Sequence, residues 1–386
     1  MTSKQTLFPL EEYRNRIHRL QQLLREERLD ALVLHHFPSV FYLSGYQSLH
    51  AYDHECVIVP RDGEPSFVVR ESELDRARYT SWLDRIWTFG HYEEAGAALA
   101  RALDEQGLGG GRIGVEKRAP RAAGLSVHTY ETLETALPRA ALLDGWGLVE
   151  RVKATKSPRE VAYLRRAAEI TTLGMDAAIE AAAEGATDNI VAAAAYQTMI
   201  AAGSEYMAIP VIVASGVRSS IPHSTHERAR LDPGDVLTIE LGACFHRYSA
   251  PCMRTVSIGP PIAEVERMAE TALAALDRVL AAMRPGVTGD EVARAGLDAL
   301  GPARDGLFWP GYFAYGVGAG FPPAWGDHTA RVQPGDPTRL ASGMVLHVPV
   351  VLNAVGRHGV MFSETAVITD DGCEVLTGVA RRLFVR

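Results

Sequence analysis

The sequence predicts an α+β protein in which an N-terminal α/β domain precedes a second domain of long helices and an antiparallel sheet. In the first part, short β-branched runs at residues 30–34, 57–59, 67–69 and 112–115 alternate with helical patterns. In the second part, long helical patterns are interspersed with strand-like runs at hairpin-like spacing. At about 150 residues per domain, a chain of 386 residues can form two or three cores.

The second domain begins with a clear helix signal. Ser157-Pro-Arg-Glu160 combines a capping box with proline at the first helical position, so a long helix is predicted to begin there. Further helices are predicted at about 187–202, 263–283 and 289–300, and strands at 210–213, 236–239, 344–348 and 366–368. We therefore divide the chain into domains of residues 1–150 and 151–386.

Composition and charge exclude several classes of partner. Lys and Arg number 39 against 47 Asp and Glu, a net charge of −8, and no basic block occurs. This argues against nucleic acid and against an anionic membrane surface. No apolar stretch approaches the ~20 residues of a membrane helix, the N-terminus does not indicate secretion, and the four cysteines lack zinc-like spacing. We expect a cytoplasmic protein with a small-molecule substrate.

Polar residues suited to catalysis cluster in the second domain. His223 and His226 lie in a Pro-punctuated loop, where a histidine can act as general acid or base near neutral pH, although solvated surface histidines are the alternative. Glu240 ends an apolar strand, where a carboxylate is costly to bury unless it is paired or used. Strand alternation places Thr238 and Glu240 on one face of the strand. An edge-strand glutamate that points to water therefore remains an open alternative.

Three further segments carry candidate groups. Arg254 could hold an anionic group or form an ion pair, and Glu364 is a second carboxylate that enters a strand. The glycine-rich stretch 315–328 matches no nucleotide-binding motif. Spacing alone therefore supports only a hydrolase-like pocket with two carboxylates and a histidine.

In chain order, several of these segments resemble the creatinase/prolidase/aminopeptidase superfamily, whose fold is known as the pita-bread fold. The resemblance covers essentially the whole chain and implies a creatinase-like α/β domain followed by a pita-bread domain with a curved antiparallel sheet. The segments that carry it are Phe41–Tyr46, Arg151–Glu160, Pro222-His223, Pro233–Asp235, Leu241–Ala243, Arg254-Thr255, Gly343-Met344 and Thr369–Gly372.

The resemblance also implies that the metal ligands of the family are missing. Peptidases of this superfamily bind two divalent metals with two Asp, one His and two Glu side chains. The matching positions here are Glu240, Pro251, Tyr315, Pro349 and Ser363. Because a proline side chain offers no ligand atom, we expect neither a metal nor another cofactor, and hence no metallopeptidase activity.

Within the metal-free branch, several segments resemble ectoine hydrolase and its relatives. The similar segments are Glu240–Pro251, Gly320–Gly326, Gln333–Thr338 and Phe362–Thr365. The resemblance implies hydrolysis of a C–N bond in a small cyclic amidine such as ectoine or hydroxyectoine. In that reaction Glu240 would be the nucleophile or base, His223 the acid/base, and Glu364 the partner of the ring N–H groups.

The remaining candidates are substrate-binding residues. Arg254 would meet a substrate carboxylate or pair with Glu240. An aromatic wall suits a cationic ring through cation–π attraction. The predicted wall residues are Tyr248, Tyr315, Trp325 and His347, and the loop residue His226 is a further substrate-binding candidate.

The resemblance implies a homodimer in which the N-terminal domain of one protomer closes the pocket of the other. Tyr46, Tyr52 and His54 are the candidate lid residues. Four alternatives stay open: a creatinase-type amidinohydrolase, a biosynthetic tailoring enzyme on another small amidine or amide, a Xaa-Pro peptidase, and a non-catalytic pita-bread binding module.

Overall fold

The computed structural model of the protein describes residues 4–49, 55–117 and 125–386. The chain forms two compact units, Met1–Val152 and Lys153–Arg386. Across those described ranges, none of the helices is both long and apolar enough to cross a membrane.

The first unit is built on a mixed six-stranded sheet. Its strands are Ala31–Leu34 (β1), Cys56–Pro60 (β2), Ser66–Arg70 (β3), Ile86–Phe89 (β4), Arg112–Val115 (β5) and Ala141–Asp144 (β6). They lie in the order β4-β3-β2-β1-β5-β6. Strands β2 and β3 pair in antiparallel register, as the turn signal at residues 61–65 indicates, whereas β1 and β5 are parallel. The helices are Leu10–Glu26 (α1), Phe37–Ser44 (α2), Leu74–Thr80 (α3), Ala95–Glu105 (α4), Val127–Ala136 (α5) and Leu148–Lys153 (α6).

The structure does not support Tyr46 as a lid residue. Its ring is fully buried between Phe37 and Phe67, and its hydroxyl donates to the Glu73 carboxylate at 2.6 Å. A side chain held in this way belongs to the core of its own unit. The other two lid candidates, Tyr52 and His54, lie outside the described residues.

The second unit contains an eleven-stranded, mostly antiparallel sheet. Its strands are Ile212–Ser215 (β7), Val236–Leu241 (β8), Cys244–Phe245 (β9), Tyr248–Ser249 (β10), Cys252–Ser257 (β11), Ala314–Phe321 (β12), Ala324–Val332 (β13), Val345–Ala354 (β14), His358–Ile368 (β15), Cys373–Val375 (β16) and Phe384–Val385 (β17). The main path of the sheet is β7-β8-β11-β15-β14-β12-β10-β9, and β13, β16 and β17 pair with β12, β15 and β11 beside it.

Four long helices pack on one face of this sheet: Pro158–Ala181 (α7), Asp188–Ala201 (α8), Ala263–Ala282 (α9) and Gly289–Leu300 (α10). The predicted capping box of Ser157 and Glu160 is present at the start of α7. Residues of α7 and α8 pack on Leu237, Ile239 and Leu241 of β8, and α9 and α10 cover the corresponding side of β14 and β15. Together with the curved antiparallel sheet, this arrangement confirms the predicted α+β pita-bread fold. We call the opposite side of the sheet the site face.

A buried ion pair holds the helix-covered face together. The Arg254 guanidinium lies 2.7 Å from the Glu364 carboxylate, and both side chains are almost fully buried. Arg254 also donates to the carbonyl oxygens of Met253, Ser363, Val379 and Ala380. One side chain therefore ties β11 to β15 and to the C-terminal segment.

This pair corrects two sequence-based expectations. Arg254 does not pair with Glu240, because its carboxylate partner is Glu364. Glu364 also accepts from the Thr377 hydroxyl, so both of its oxygens are engaged on the helix-covered face. Neither residue is therefore available to bind substrate on the site face.

Glu364→Gln should lower the free energy of unfolding by about 3–5 kcal/mol, because it leaves the Arg254 charge buried without a counter-ion. Urea denaturation at pH 7 measures the change. Glu374→Gln is the matched control, since it breaks the half-exposed ion pair with Arg165 and should cost less than about 1 kcal/mol. Equal losses in the two variants would contradict the structural role of the buried pair.

Candidate active site

The site face carries a row of registered residues across four strands. Glu240 on β8 pairs with Met253 on β11, Met253 pairs with Ser363 on β15, and Ser363 pairs with Pro349 on β14. Because directly paired residues point to the same side of a sheet, these side chains share one face. Glu240 and Ser363 are two strand spacings apart, or about 10 Å.

Glu240 is the carboxyl group of this row. It is half-buried, and no described residue donates a hydrogen bond to its side chain. Burial raises the pKa of Glu240 to about 7, because the charged form has lost water without gaining a donor. A carboxyl group that titrates near neutral pH can exchange protons or attack an electrophile at that pH.

Beside the row, four side chains form a continuous hydrogen-bonded chain. The Trp325 indole nitrogen donates to the Tyr315 hydroxyl at 2.9 Å, and that hydroxyl lies 2.8 Å from Nδ1 of His347. Nε2 of His347 lies 2.7 Å from Oγ of Ser363. Full burial lowers the pKa of His347 to about 3, so this imidazole is neutral at physiological pH. Three of the predicted wall residues are thus brought together.

His223 lies on the exposed loop that follows β7. Its φ of +62° places it in the left-handed region, which is uncommon for a residue other than glycine. Arg218 anchors the loop, because its guanidinium contacts the buried Asp188 carboxylate at 2.6 Å and the Thr225 carbonyl oxygen. The segment just before His223 is fixed to the turn between β14 and β15 by a hydrogen bond from Gly356 to Ser220.

Two other candidates lie away from the hydrogen-bonded chain. His226 is on the His223 loop, where its Nδ1 lies 3.0 Å from the Thr225 hydroxyl. Tyr248 is fully buried, and its hydroxyl donates to the Glu160 carboxylate on α7 at 2.8 Å. The expected wall position of Tyr248 is therefore wrong, because the side chain packs under a helix on the other face.

The residues present do not fit a dinuclear metal centre. Such a centre needs several oxygen or nitrogen ligands converging at about 2.0–2.3 Å. The positions implied by the family resemblance include Pro349 and Ser363, and both nitrogens of nearby His347 are engaged by hydroxyl groups. Over residues 4–49, 55–117 and 125–386, no three His, Cys, Asp or Glu side chains are grouped to hold a metal ion.

One residue of the site face is not among the predicted site residues. The family resemblance makes Ser363 only a lost metal-ligand position, whereas in the structure it is the hydrogen-bond partner of His347. The strand pattern gives no clear signal, because Ser363, Glu364 and Thr365 are three consecutive polar residues and alternation does not show which of them face the site.

Comparison with known proteins agrees with this architecture. Residues 162–370 match the metallopeptidase family M24, and residues 16–154 match the creatinase/prolidase N-terminal domain. An uncharacterized hydrolase/peptidase of Sinorhizobium fredii is 30% identical over 388 residues, which cover 97% of each chain. The ectoine hydrolase of Halomonas elongata is 28% identical over 400 residues, 98% of each chain.

A solved structure extends the comparison to peptidases. The prolidase of Pyrococcus horikoshii superposes with a TM-score of 0.81 at 25% identity, covering 96% of this chain and 99% of the other. Relatives at similar identity therefore include both a prolidase and an ectoine hydrolase. The chain belongs to the metallopeptidase family M24, with a creatinase/prolidase N-terminal domain, and is a hydrolase of that family.

Proposed function

We propose that the protein is a metal-independent hydrolase that opens a C–N bond of a small cyclic amidine such as ectoine or hydroxyectoine. The observation that carries the proposal is Glu240, a carboxyl group of raised pKa on a face whose other residues do not fit a metal pair. The similarity to the ectoine hydrolase of Halomonas elongata supports this substrate class.

The chemistry suits these residues because an amidinium carbon is already electrophilic and needs no Lewis acid. Glu240 either attacks that carbon or removes a proton from the attacking water. His223 delivers a proton to the leaving nitrogen, and the ring opens to an amide and an amine. In the covalent route a water molecule then releases Glu240, so both routes consume one water per ring opened.

The His223 loop provides further support for this role. A non-glycine residue in the left-handed region carries a conformational cost, and such residues concentrate at functional sites. The ion pair between Arg218 and Asp188 holds the loop in this conformation. His223 itself is exposed, which leaves its ring able to meet a substrate.

The main alternative is a Xaa-Pro peptidase, which the family description and the prolidase relative both favour. Peptidases of this kind use two metal ions, and an amide carbonyl needs such activation far more than an amidinium does. The side chains around Glu240 do not fit a pair of metal ions, and this weighs against the peptidase alternative.

After exhaustive chelation, the purified protein should open the ectoine ring, because neither Glu240 nor His223 needs a metal to act. Proton NMR of the released N-acetyl product measures turnover, and metal content is determined on the same sample. A Xaa-Pro dipeptide is the control substrate and should be inert with or without added Mn²⁺. Activity that appears only after a divalent metal is restored would contradict the proposal.

Glu240→Gln should abolish turnover and at the same time stabilise the protein above pH 7. The wild-type pKa is raised from 4.5 to about 7, so folding favours the protonated group. The stability that this provides is complete below pH 4.5 and is lost as the pH rises to about 7. Glutamine mimics the neutral acid. We therefore expect the free energy of unfolding of Glu240→Gln to exceed that of the wild type by about 3 kcal/mol at pH 8 and to equal it at pH 4.

Urea denaturation at the two pH values measures this difference. Glu184→Gln is the control, because this exposed carboxylate should change the free energy of unfolding by less than about 0.5 kcal/mol. Full turnover by Glu240→Gln would exclude Glu240 as nucleophile or base.

A further inference from the structure

Two apolar side chains flank Glu240 along its row on the site face. In the sheet register Glu240 pairs with Ile212 on β7 and with Met253 on β11. Directly paired side chains lie about 4.5–5.5 Å apart at their Cβ atoms, so both are immediate neighbours of the carboxyl group. Neither Ile212 nor Met253 belongs to the apolar clusters under the helices, as expected for residues of the site face.

Along the chain, the neighbours of Glu240 on this face are Thr238 and Gly242. Thr238 is buried, and its hydroxyl donates to the Ala214 carbonyl oxygen at 3.3 Å. Gly242 has no side chain, and a Cβ atom at this position would lie 3.3 Å from Cζ3 of the Trp325 indole. The carbocyclic edge of that indole therefore occupies the space next to Gly242, two residues beyond Glu240.

We call Ile212, Met253 and the indole of Trp325 the apolar collar of Glu240. None of the three accepts a strong hydrogen bond, because isoleucine has no polar side-chain atom, a thioether is a weak acceptor and an indole N–H is a donor only. The indole N–H is already donated to the Tyr315 hydroxyl. Among these neighbours, the accessible strong acceptors are thus the two carboxylate oxygens of Glu240.

The number of N–H donors distinguishes two classes of planar cation that a carboxylate attracts. The cyclic amidinium of ectoine has one N–H on each ring nitrogen and a methyl group on the central carbon, so it has two donors. A cyclic guanidinium has an amino group in place of the methyl group and therefore has four donors. The two oxygens of Glu240 match the amidinium, whereas a guanidinium brings two further donors to a collar without acceptors. A donor that loses water without gaining an acceptor weakens binding.

We propose that the apolar collar makes the site specific for amidinium ions with a carbon substituent on the central carbon, and that it rejects guanidinium ions. The proposal rests on the function proposed above and narrows its substrate class. Ile212, Met253 and Trp325 are then specificity-determining residues, and Glu240 provides the charge. A thioether and two hydrocarbon surfaces also suit a methyl group, which gains from leaving water. The guanidines on which a creatinase-type amidinohydrolase would act are disfavoured.

The test compares ectoine with 2-amino-1,4,5,6-tetrahydropyrimidine-4-carboxylate, in which an amino group of nearly the same size replaces the 2-methyl group. Both rings are cations at pH 8, which lies above the raised pKa of Glu240, about 7. The inhibition constant of the 2-amino ring is measured against ectoine turnover and compared with the KM of ectoine. The wild type should prefer ectoine about 10- to 100-fold. Equal constants, or a preference for the 2-amino ring, would overturn the proposal.

Met253→Gln adds an acceptor to the collar in a side chain of similar length. Its amide oxygen can accept a hydrogen bond from the 2-amino group, so the preference for ectoine should fall about 10-fold or more. Ile212→Gln makes the same change on the other flank, at a half-exposed position, and serves if Met253→Gln does not fold. Circular dichroism and a thermal melt establish folding. A preference that is unchanged in every folded glutamine variant of the collar would contradict the proposal.

Met361→Gln is the matched control. Met361 pairs with Val351 on the same face and is half-exposed, but it lies on β15, two strands and one row away from Glu240. A general effect of added polarity or of a loosened sheet would change the preference in this variant as well. Our proposal predicts the change in the collar variants alone, and an equal change in Met361→Gln would argue against it.

Binding separates this proposal from the proposed function. If ectoine is not turned over, calorimetric dissociation constants for the two rings replace the kinetic constants, and the same ratios are compared. The hydrolase assignment then fails while the preference is still decided. Binding of neither ring by the wild type would overturn the proposal.

Discussion

The pleat of the large sheet is the constraint on which the second unit depends. Successive residues of β8, β11 and β15 point alternately to the helices and to the site face. Neighbouring residues of one strand therefore lie in different environments. Glu364 is locked in a buried ion pair under the helices, whereas Ser363, one position earlier, belongs to the hydrogen-bonded chain on the other side. A shift of one residue in the register of β15 would exchange these two environments and leave the Arg254 charge without its partner.

The ion pair therefore does more than stabilise the fold. By fixing β15 against β11, Arg254 also fixes where Ser363 lies relative to Glu240, because Met253 is paired with both residues. The residues of the site face are thus positioned by an ion pair that is buried on the opposite side of the sheet. This arrangement separates a strong electrostatic interaction, which needs exclusion of water, from the half-buried carboxyl group of Glu240, which needs access to substrate in the proposed reaction.

Local sequence signals predict much of the fold. The site is harder to predict, because it depends on which face of the sheet each strand residue points to. The capping box at Ser157 marked the start of α7, and alternation along β8 placed Glu240 opposite the core residues. The face of Tyr248 was not predictable in this way, because β10 has two residues and follows two positions of positive φ, His246 and Arg247. The pairing of Arg254 with Glu364 depends on register between strands far apart in sequence, which no local pattern specifies.

The pKa of Glu240 is raised because the residues around it carry no positive charge that would offset the cost of burial. A divalent cation at this position would hold a nearby carboxylate ionised and draw its pKa far below neutrality. Here the corresponding positions hold Tyr315, Pro349 and Ser363, and buried His347 is neutral as well, so nothing in that group offsets the cost of burying the charge. A monocationic substrate would supply the missing charge, and its binding would ionise Glu240 at the moment when the carboxylate is needed. In the proposed function, an amidinium substrate completes the charge of this face at the position where a metal pair would otherwise lie.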